Sequence, residues 1–581
     1  MQTIWKMGVY QEASGRNKLR AGRVLLTATA LACLVWPNRA AAQTCPEPAA
    51  ADFKKTTVLS SATLDHPVHM AIAPDGRIFI GEMISGNIQV YKPGQASPVK
   101  AGNVPVNFDN ENGLLGVAVP PDFATSQFLY VLGNDPSTSN RAQVLWRYKM
   151  NGDLMDNATK TEILRIPRWK NGIYHDAGGM HFDKKGNLWL SSGDDSNPHD
   201  THNAGYAPIY TPDPGSDAQK SAGNTNDLRG KISRIHPEAA LTDGKWYTIP
   251  AGNLKETMAS FWTADELTKV RPEIYAMGMR NPYRFTVDDQ TGWLIWGEVG
   301  PDADATDPNR GRSGHDEFNL AMDPGYYGWP YCNGNQFAYN NVDYSTNTTT
   351  GVIGAKFDCS KLVNNSPNNT GVNKLPPARP PFIWYAVQNT TDFPQMGTGQ
   401  ETAMGGPMYR YDKTLVSKTK FPPQYDGRLF IWDWTRGVHK FIDFTSDGKL
   451  GKFYDLAVLG KNSDIAADYG PDGSLYVLQY SQSGYGDNNA ALNRFDYTGT
   501  INDACAPATS LAKSARSQGA VASALVSGFQ PIELPADAAG LDAFDLSGRK
   551  VWSYARQGVS GDLKLEFPRQ LAAGLLRVRF Y

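Results

Sequence analysis

A short phrase recurs along the chain: a turn built on Asp, Pro or Gly, followed by four or five mostly apolar residues. Pro74-Asp75-Gly76 precedes Arg77-Ile78-Phe79-Ile80, and Pro121-Asp122-Phe123 precedes Phe128-Leu129-Tyr130-Val131. The phrase returns as Lys185-Gly186 before Leu188-Trp189-Leu190, and as Thr291-Gly292 before Leu294-Ile295-Trp296. The last copies are Asp426-Gly427 before Leu429-Phe430-Ile431-Trp432, and Asp472-Gly473 before Leu475-Tyr476-Val477-Leu478. Runs of this length, rich in β-branched and aromatic residues and bounded by turn formers, predict short buried strands. Several are followed by a second strand with a polar residue between apolar ones, as in Ile88-Gln89-Val90-Tyr91, Leu145-Trp146-Arg147-Tyr148, Ile232-Ser233-Arg234-Ile235 and Leu492-Asn493-Arg494-Phe495.

Six strand-turn-strand units predict an all-β fold, a six-bladed β-propeller, because each small sheet can bury both faces only against its neighbours. The competing reading is a set of unrelated hairpins in a sandwich. The copies are unevenly spaced, so long loops must separate some strands, and such loops are where function gathers. The largest runs from about Asn333 to Asn373, is thick with Asn, Thr and Ser, and is expected to have little core of its own.

The propeller is expected over 43–506. An Ala/Ser-rich linker over 507–527 and a small β-sandwich-like module over 528–581 follow. In the module, Asp545–Val551 is a strand-turn-strand phrase and Gly574–Arg579 alternates as a closing strand. This tail resembles the C-terminal sorting domains of proteins exported by type IX secretion; a plain accessory β-domain is the other reading.

Composition narrows the function. The chain's 581 residues carry 56 basic and 58 acidic side chains, so there is no basic footprint for nucleic acid. Residues 1–42 place Lys18, Arg20 and Arg23 before an apolar run from Val24 to Val35, with Ala40-Ala41-Ala42 after it. That order predicts a signal peptide cleaved after Ala42, a lipoprotein signal ending at Cys33 being the alternative. No other stretch is long and apolar enough for a membrane span, so a secreted protein is expected, in the periplasm, at the cell surface or in the medium. Cys45, Cys332, Cys359 and Cys505 would then remain, and an even number in an exported chain without C-x-x-C spacing favours disulfides. Cys332 with Cys359, and Cys45 with Cys505, is one of three allowed pairings.

Polar residues cluster where strands end. His175 lies in Tyr174-His175-Asp176-Ala177-Gly178-Gly179, and the next strand closes on Asp194-Asp195. A histidine with an orienting carboxylate suits a general base near neutral pH. The second cluster comprises Arg280-Asn281-Pro282, Glu298-Val299-Gly300-Pro301, Asp316-Glu317 and Tyr326-Tyr327-Gly328-Trp329-Pro330. Arg280 can stabilise an anion, and carbonyls of a Gly-Pro turn together with carboxylates suit Ca²⁺, which takes many hard oxygens.

From about residue 50 to 500 the chain resembles the glucose/sorbosone dehydrogenase family, soluble quinoproteins built as six-bladed propellers that use pyrroloquinoline quinone and Ca²⁺. The resemblance rests on Asn112-Gly113-Leu114-Leu115-Gly116, the His175 segment and Leu228-Arg229-Gly230-Lys231-Ile232. Arg280-Asn281-Pro282, Asp316-Glu317, Tyr327-Gly328-Trp329-Pro330 and Gly470-Pro471-Asp472-Gly473 complete it. It implies that His175 is the base taking a sugar hydroxyl proton, that Asp194 supports it, and that Arg280 and Asn281 grip the quinone. It further implies catalytic Ca²⁺ on the Gly300 and Pro301 carbonyls and a second, structural Ca²⁺ at Glu317 and Tyr327. The reaction implied is hydride transfer from a sugar carbon to the quinone, with electrons passing on to an external acceptor, since no C-x-x-C-H haem motif is present.

The chain departs from the family pattern among the cofactor contacts. Glu111 stands where Gln is usual, and Thr435-Arg436 replaces a Lys-Arg pair. Lys461 and Ser463 fall near two expected arginines. Glu111, Arg436 and Lys461 are thus the remaining implied cofactor contacts beside Arg280 and Asn281. Each lost charged contact to a tricarboxylate costs about 1.5–3 kcal/mol. The alternative functions are a carbohydrate- or partner-binding propeller without the cofactor, and a calcium-dependent lactonase.

Overall fold

A computed structural model describes residues 45–506 apart from 170, 171, 173, 203, 388–390, 446 and 482–487, together with the strands of the C-terminal module. The segment 1–42 and most of the linker lie outside the described residues.

Six sheets of four main strands each carry the body of the chain. Blade 1 comprises Pro67–Ile72, Ile78–Glu82, Asn87–Tyr91 and Val99–Asn103, and blade 2 Leu114–Ala118, Phe128–Asn134, Ala142–Asn151 and Leu154–Pro167. Blade 3 comprises Met180–Phe182, Leu188–Ser192, Lys231–Thr242 and Ile274–Met277, with Gly325–Tyr326 added in parallel at its edge. Blade 4 comprises Arg284–Val287, Leu294–Glu298, His315–Ala321 and Ile383–Ala386, and blade 5 Ala403–Met408, Leu429–Asp433, Val438–Phe444 and Leu450–Tyr454. Blade 6 comprises Ser463–Tyr469, Leu475–Ser481 and Ala491–Tyr497, and its outer strand is Phe53–Ser60 from the start of the body. The first strand of each blade touches the first strand of the next, from blade 1 round to blade 6 and back to blade 1. The ring is closed, and the fold is a six-bladed β-propeller.

The six repeated phrases are the second strands of the six blades. A second strand has neighbours on both edges and adjacent blades on both faces. Ile78–Glu82, Leu188–Ser192, Leu294–Glu298, Leu429–Asp433 and Leu475–Ser481 are accordingly buried at every position. The inner strands obey a different constraint, crowding around the axis. A Cβ on Gly405 would lie 2.8 Å from the Arg284 carbonyl oxygen of the neighbouring blade. Arg284 itself crosses the ring from blade 4: its guanidinium donates to Ile465 O at 2.8 Å in blade 6 and to Val68 O at 2.5 Å in blade 1.

Cys45 is bonded to Cys505 and Cys332 to Cys359, the first joining residues 460 apart in sequence at the two ends of the body. The 333–373 insertion differs from the expectation of a coreless polar loop. Tyr339, Val342 and Tyr344 pack with Ile209 and Trp329, while Leu362 and Val372 join the core beside blade 3. These apolar residues are spaced singly among polar ones, so they fill a seam between loops without forming an apolar run. In the C-terminal module, Leu575–Phe580 lies between Ala524–Ser527 and Gly540–Phe544, with Lys550–Ala555 beyond, and Ile532–Leu534 pairs with Leu563–Leu565. Ala524–Ser527, expected to end the linker, is therefore a strand of the module.

Candidate active site

The turns that lead into the inner strands of blades 2, 3 and 4 meet at one end of the axis. Glu111 precedes the first of these strands, and its Oε2 accepts a hydrogen bond from the His175 N–H at 2.7 Å. Asn281, ahead of the blade 4 strand, accepts on Oδ1 from the Ala177 N–H at 3.0 Å. His175 and Ala177 have φ of 56° and 52°, a left-handed backbone that a packed and fully bonded surround must hold. Part of that surround is Arg168, whose guanidinium donates to Tyr174 O and His175 O and pairs with Asp176 and Asp195. Another part is Gly193, where a Cβ would stand 2.1 Å from the His175 carbonyl oxygen.

His175 Nδ1 and Asp194 Oδ1 are 2.6 Å apart, both side chains buried. Asp194 also receives the Trp329 indole N–H at 2.7 Å, the Ser196 hydroxyl at 2.7 Å and the Ser196 N–H at 3.0 Å. Burial alone would raise its carboxyl. The charge and hydrogen bond of His175, the indole donor and the Arg280 charge outweigh it and hold Asp194 well below the ordinary carboxylate range. An ionised Asp194 fixes the ring orientation. His175 Nε2 has no hydrogen-bond partner among the described residues, so that nitrogen is the one able to accept a proton.

Arg280 lies beside this pair. Its backbone carbonyl accepts the Asp194 N–H at 2.7 Å, and its guanidinium pairs with Asp302 at 2.8 Å. Glu298 accepts from the N–H groups of Arg280 and Asn281 and from the Trp296 indole, so one buried carboxylate shapes the Arg280-Asn281 turn.

The Gly300-Pro301 turn follows directly. Asp316 accepts the Gly300 N–H at 2.8 Å and the Ala403 N–H at 2.6 Å. Glu401 and Asp433 stand close by, facing Arg436. Burial raises the carboxyls of Asp316, Glu401 and Asp433, and repulsion from neighbouring carboxylates adds to the rise at Asp316 and Glu401. Glu317 and Tyr327 come together with Glu298, Asn319 and Asn333 around a cavity of about 10 Å³, room for one water or one ion. Glu317 and Glu298 are register partners on adjacent strands, and Asn319 Oδ1 is buried there without a hydrogen-bond partner among the described residues. Burial pushes Glu317 up to about 8. Among the described residues no three His, Cys, Asp or Glu side chains form a metal cage.

The remaining cofactor expectations fare differently. Arg436 is not presented to the site. Its guanidinium donates to carbonyls of Ala386, Val387, Met396, Gly397, Gly399 and Gln400 and pairs with Glu401 at 3.3 Å, with the side chain 2% exposed. An arginine with five donors beside a loop full of free carbonyls is drawn into the loop. Lys461, just before the blade 6 inner strand, is exposed and forms no ion pair among the described residues. Sequence reasoning gave no role to Trp329 and Ser196 as partners of Asp194, to Arg168 as the clamp on the His175 loop, or to Glu298. Trp329 and Glu298 lie within the motifs it singled out, but nothing in a motif says which atom a side chain reaches.

The family model of glucose/sorbosone dehydrogenases matches residues 64–361, just over half of the chain. Quinoprotein glucose dehydrogenase B of Acinetobacter calcoaceticus is 26% identical over 450 residues, covering 74% of this chain and 85% of the relative. Aldose sugar dehydrogenase YliI of Escherichia coli strain K12 is 24% identical over 270 residues, covering 46% of this chain and 59% of the relative. Among solved structures, the PQQ-bound aldose sugar dehydrogenase of Streptomyces coelicolor aligns over 76% of this chain and 98% of its own, at 17% identity and a TM-score of 0.46. With the closed six-bladed ring and the matched motifs converging on its axis, the chain belongs to the glucose/sorbosone dehydrogenase family.

Proposed function

We propose that this protein is an exported, quinone- and calcium-dependent sugar dehydrogenase acting on a CH–OH group. The observation that carries the reading is the buried His175–Asp194 pair at 2.6 Å, set beside Arg280 and Asn281. His175 Nε2 takes the hydroxyl proton, and Asp194, kept ionised by Trp329, Ser196 and Arg280, stabilises the imidazolium that forms. Arg280 steadies negative charge developing on the electron acceptor, and Asn281, whose Oδ1 is engaged by Ala177, has side-chain N–H groups that meet no acceptor among the described residues and can donate. Pyrroloquinoline quinone, when bound, supplies the carbonyl system that takes the hydride.

The residues present fit the reacting end of that quinone and a divalent cation on the Gly300-Pro301 turn. The turn offers hard carbonyl oxygens, and a cation held there would draw the buried carboxyls of Asp316, Glu401 and Asp433, otherwise raised by burial, towards their charged forms. The orphaned Asn319 Oδ1 and the paired Glu298 and Glu317 suit a second cation at the small cavity, with Tyr327 beside it. For the quinone's carboxylates the chain offers Lys461, Arg436 being spent on its own loop and Glu111 on the His175 N–H. That shortage of cations favours, as a second reading, a propeller that binds carbohydrate or a partner without the cofactor.

Titrating chelator-stripped protein with pyrroloquinoline quinone, with and without Ca²⁺, and then following dye reduction on a panel of aldoses separates the two. Calcium-dependent quinone binding and sugar oxidation abolished by His175→Ala support the dehydrogenase. No binding at micromolar quinone would reject it and leave the binding propeller.

A further inference from the structure

A second cavity, of about 670 Å³, opens between blades 2 and 3. The candidate active site gathers before the starts of the inner strands, whereas this groove is built where they end. Phe182 is the last residue of the blade 3 inner strand, Pro120 and Pro121 follow the blade 2 inner strand, and Phe128 begins the next. It therefore lies on the opposite face of the propeller, beyond the Arg284 crossing.

Its volume is that of a small-molecule site, and its walls are of two kinds. One is aromatic: Phe128, Tyr130 and Phe182 run edge to face, with centroids 6.4 and 5.1 Å apart. The other is cationic: Arg147, Lys149, Lys184 and Lys185, with His236, against the single lining carboxylate Asp122. Arg147 is the fixed member, 4% exposed, lying 4.3 Å over the Phe128 ring and donating to Glu238 O. Lys149 is moored on the other side, donating to Ser126 O and standing 4.8 Å from the same ring. Lys184 is held only loosely, 3.7 Å from Asp289 with its side chain 80% exposed. Lys185 has no ion pair among the described residues. His236 Nδ1 faces Asn187 Oδ1 at 3.1 Å, which leaves Nε2 without a partner among the described residues.

Four cations around one concave, partly apolar surface, in a chain whose whole formal charge is −2, concentrate a positive field where the composition predicts none. We propose that this groove binds a small organic anion with a ring-bearing body, its phosphate or carboxylate on Lys149, Lys184 and Lys185 and its ring against Phe182. The site is separate from the dehydrogenase reading and does not depend on it.

The test is calorimetric titration at about 50 mM salt with glucose 6-phosphate, galacturonate, inorganic phosphate and glucose. Wild type is compared with Lys149→Ala/Lys185→Ala, with Phe182→Ala and with His175→Ala. Saturable binding of glucose 6-phosphate or galacturonate, weakened tenfold or more in the double variant and by Phe182→Ala but kept in His175→Ala, is the expected result. The stronger of the two ligands identifies phosphate or carboxylate as the group recognised. The proposal falls if neither anion saturates, if glucose binds as well as the anions, or if inorganic phosphate binds as tightly as the sugar phosphate. Binding unchanged in the lysine variant would also overturn it, and circular dichroism of each variant confirms that it is folded.

Discussion

Replacing Arg284 by methionine tests whether the crossing of the ring stabilises the propeller. Arg284 is 3% exposed and its guanidinium donates to three carbonyls, those of Tyr283, Ile465 and Val68. Hydrogen bonds from a charged donor contribute about 1.5–3 kcal/mol each. Against them stands the cost of burying the charge: burial lowers the group from its ordinary value to about 10, a difference of about 3 kcal/mol. Methionine recovers that cost but leaves the carbonyls of blades 1 and 6 without this donor, so the expected net loss is about 3 kcal/mol. For a body of roughly 450 residues, that is a fall in Tm of about 3 °C. The folded value lies below the unfolded one, so any pH dependence from this group is a gain in stability above about pH 10, with none near neutrality. Scanning calorimetry at pH 7, with Arg284→Lys as an intermediate case, measures the shift. Amide exchange in Pro67–Ile72 and Ser463–Tyr469 should accelerate in parallel. An unchanged Tm with unchanged exchange in those strands would refute the reasoning, meaning that the buried charge costs as much as its hydrogen bonds return.

Three further outcomes are expected. Arg410 grips Asp288 across blades 4 and 5 at 2.5 and 2.7 Å; burial would raise that carboxyl, but Arg410 and Thr291 together hold it below its ordinary 3.8. Its stabilisation is therefore present above the unfolded value and lost as pH falls through the folded one, so the stability gap between wild type and Arg410→Met in denaturant titrations should be full at pH 6 and close as the pH is taken below the ordinary 3.8 and through the lowered folded value. Chelation should lower the Tm of wild type by several degrees and leave Glu317→Gln unmoved, since a cation bound only by the folded state stabilises by mass action; equal response of the two would remove the cation from that cavity. Cys45→Ser/Cys505→Ser should lose up to about 6 kcal/mol in denaturant titrations, because the bridge closes a loop of 460 residues, whereas a loss below about 1 kcal/mol would show that the Phe53–Ser60 strand already holds the ends together.

The parts of this protein legible in its sequence are those set by local pattern. A strand enclosed on both faces is mostly apolar and flanked by turn formers, so the second strand of every blade announced itself, from Ile78–Glu82 to Leu475–Ser481. The inner strands were less visible. They carry His69, Gly116, His181, Arg284 and Gly405, because the axis needs small residues and polar crossings more than apolar ones. The outer strand Phe53–Ser60 could not be assigned to blade 6 by pattern at all, since its partner Ala491–Tyr497 lies more than four hundred residues away.

At the site, the sequence alone determined which residue types were available: a histidine, a carboxylate two strands later, an Arg-Asn-Pro turn and a Gly-Pro turn, in an order that marks the family. Tertiary structure decided what each side chain does. It brought Asp194 to His175 and Trp329 to Asp194 from a loop 135 residues away, and it set Glu298 beside Glu317 across two strands. It also turned Arg436 into its own loop and gathered four cations into a groove on the opposite face. The physical reason is that burial of a strand follows from residues next to one another in the chain. The direction of a long polar side chain follows from whichever donors, acceptors and charges the fold delivers around it, and those arrive from other blades.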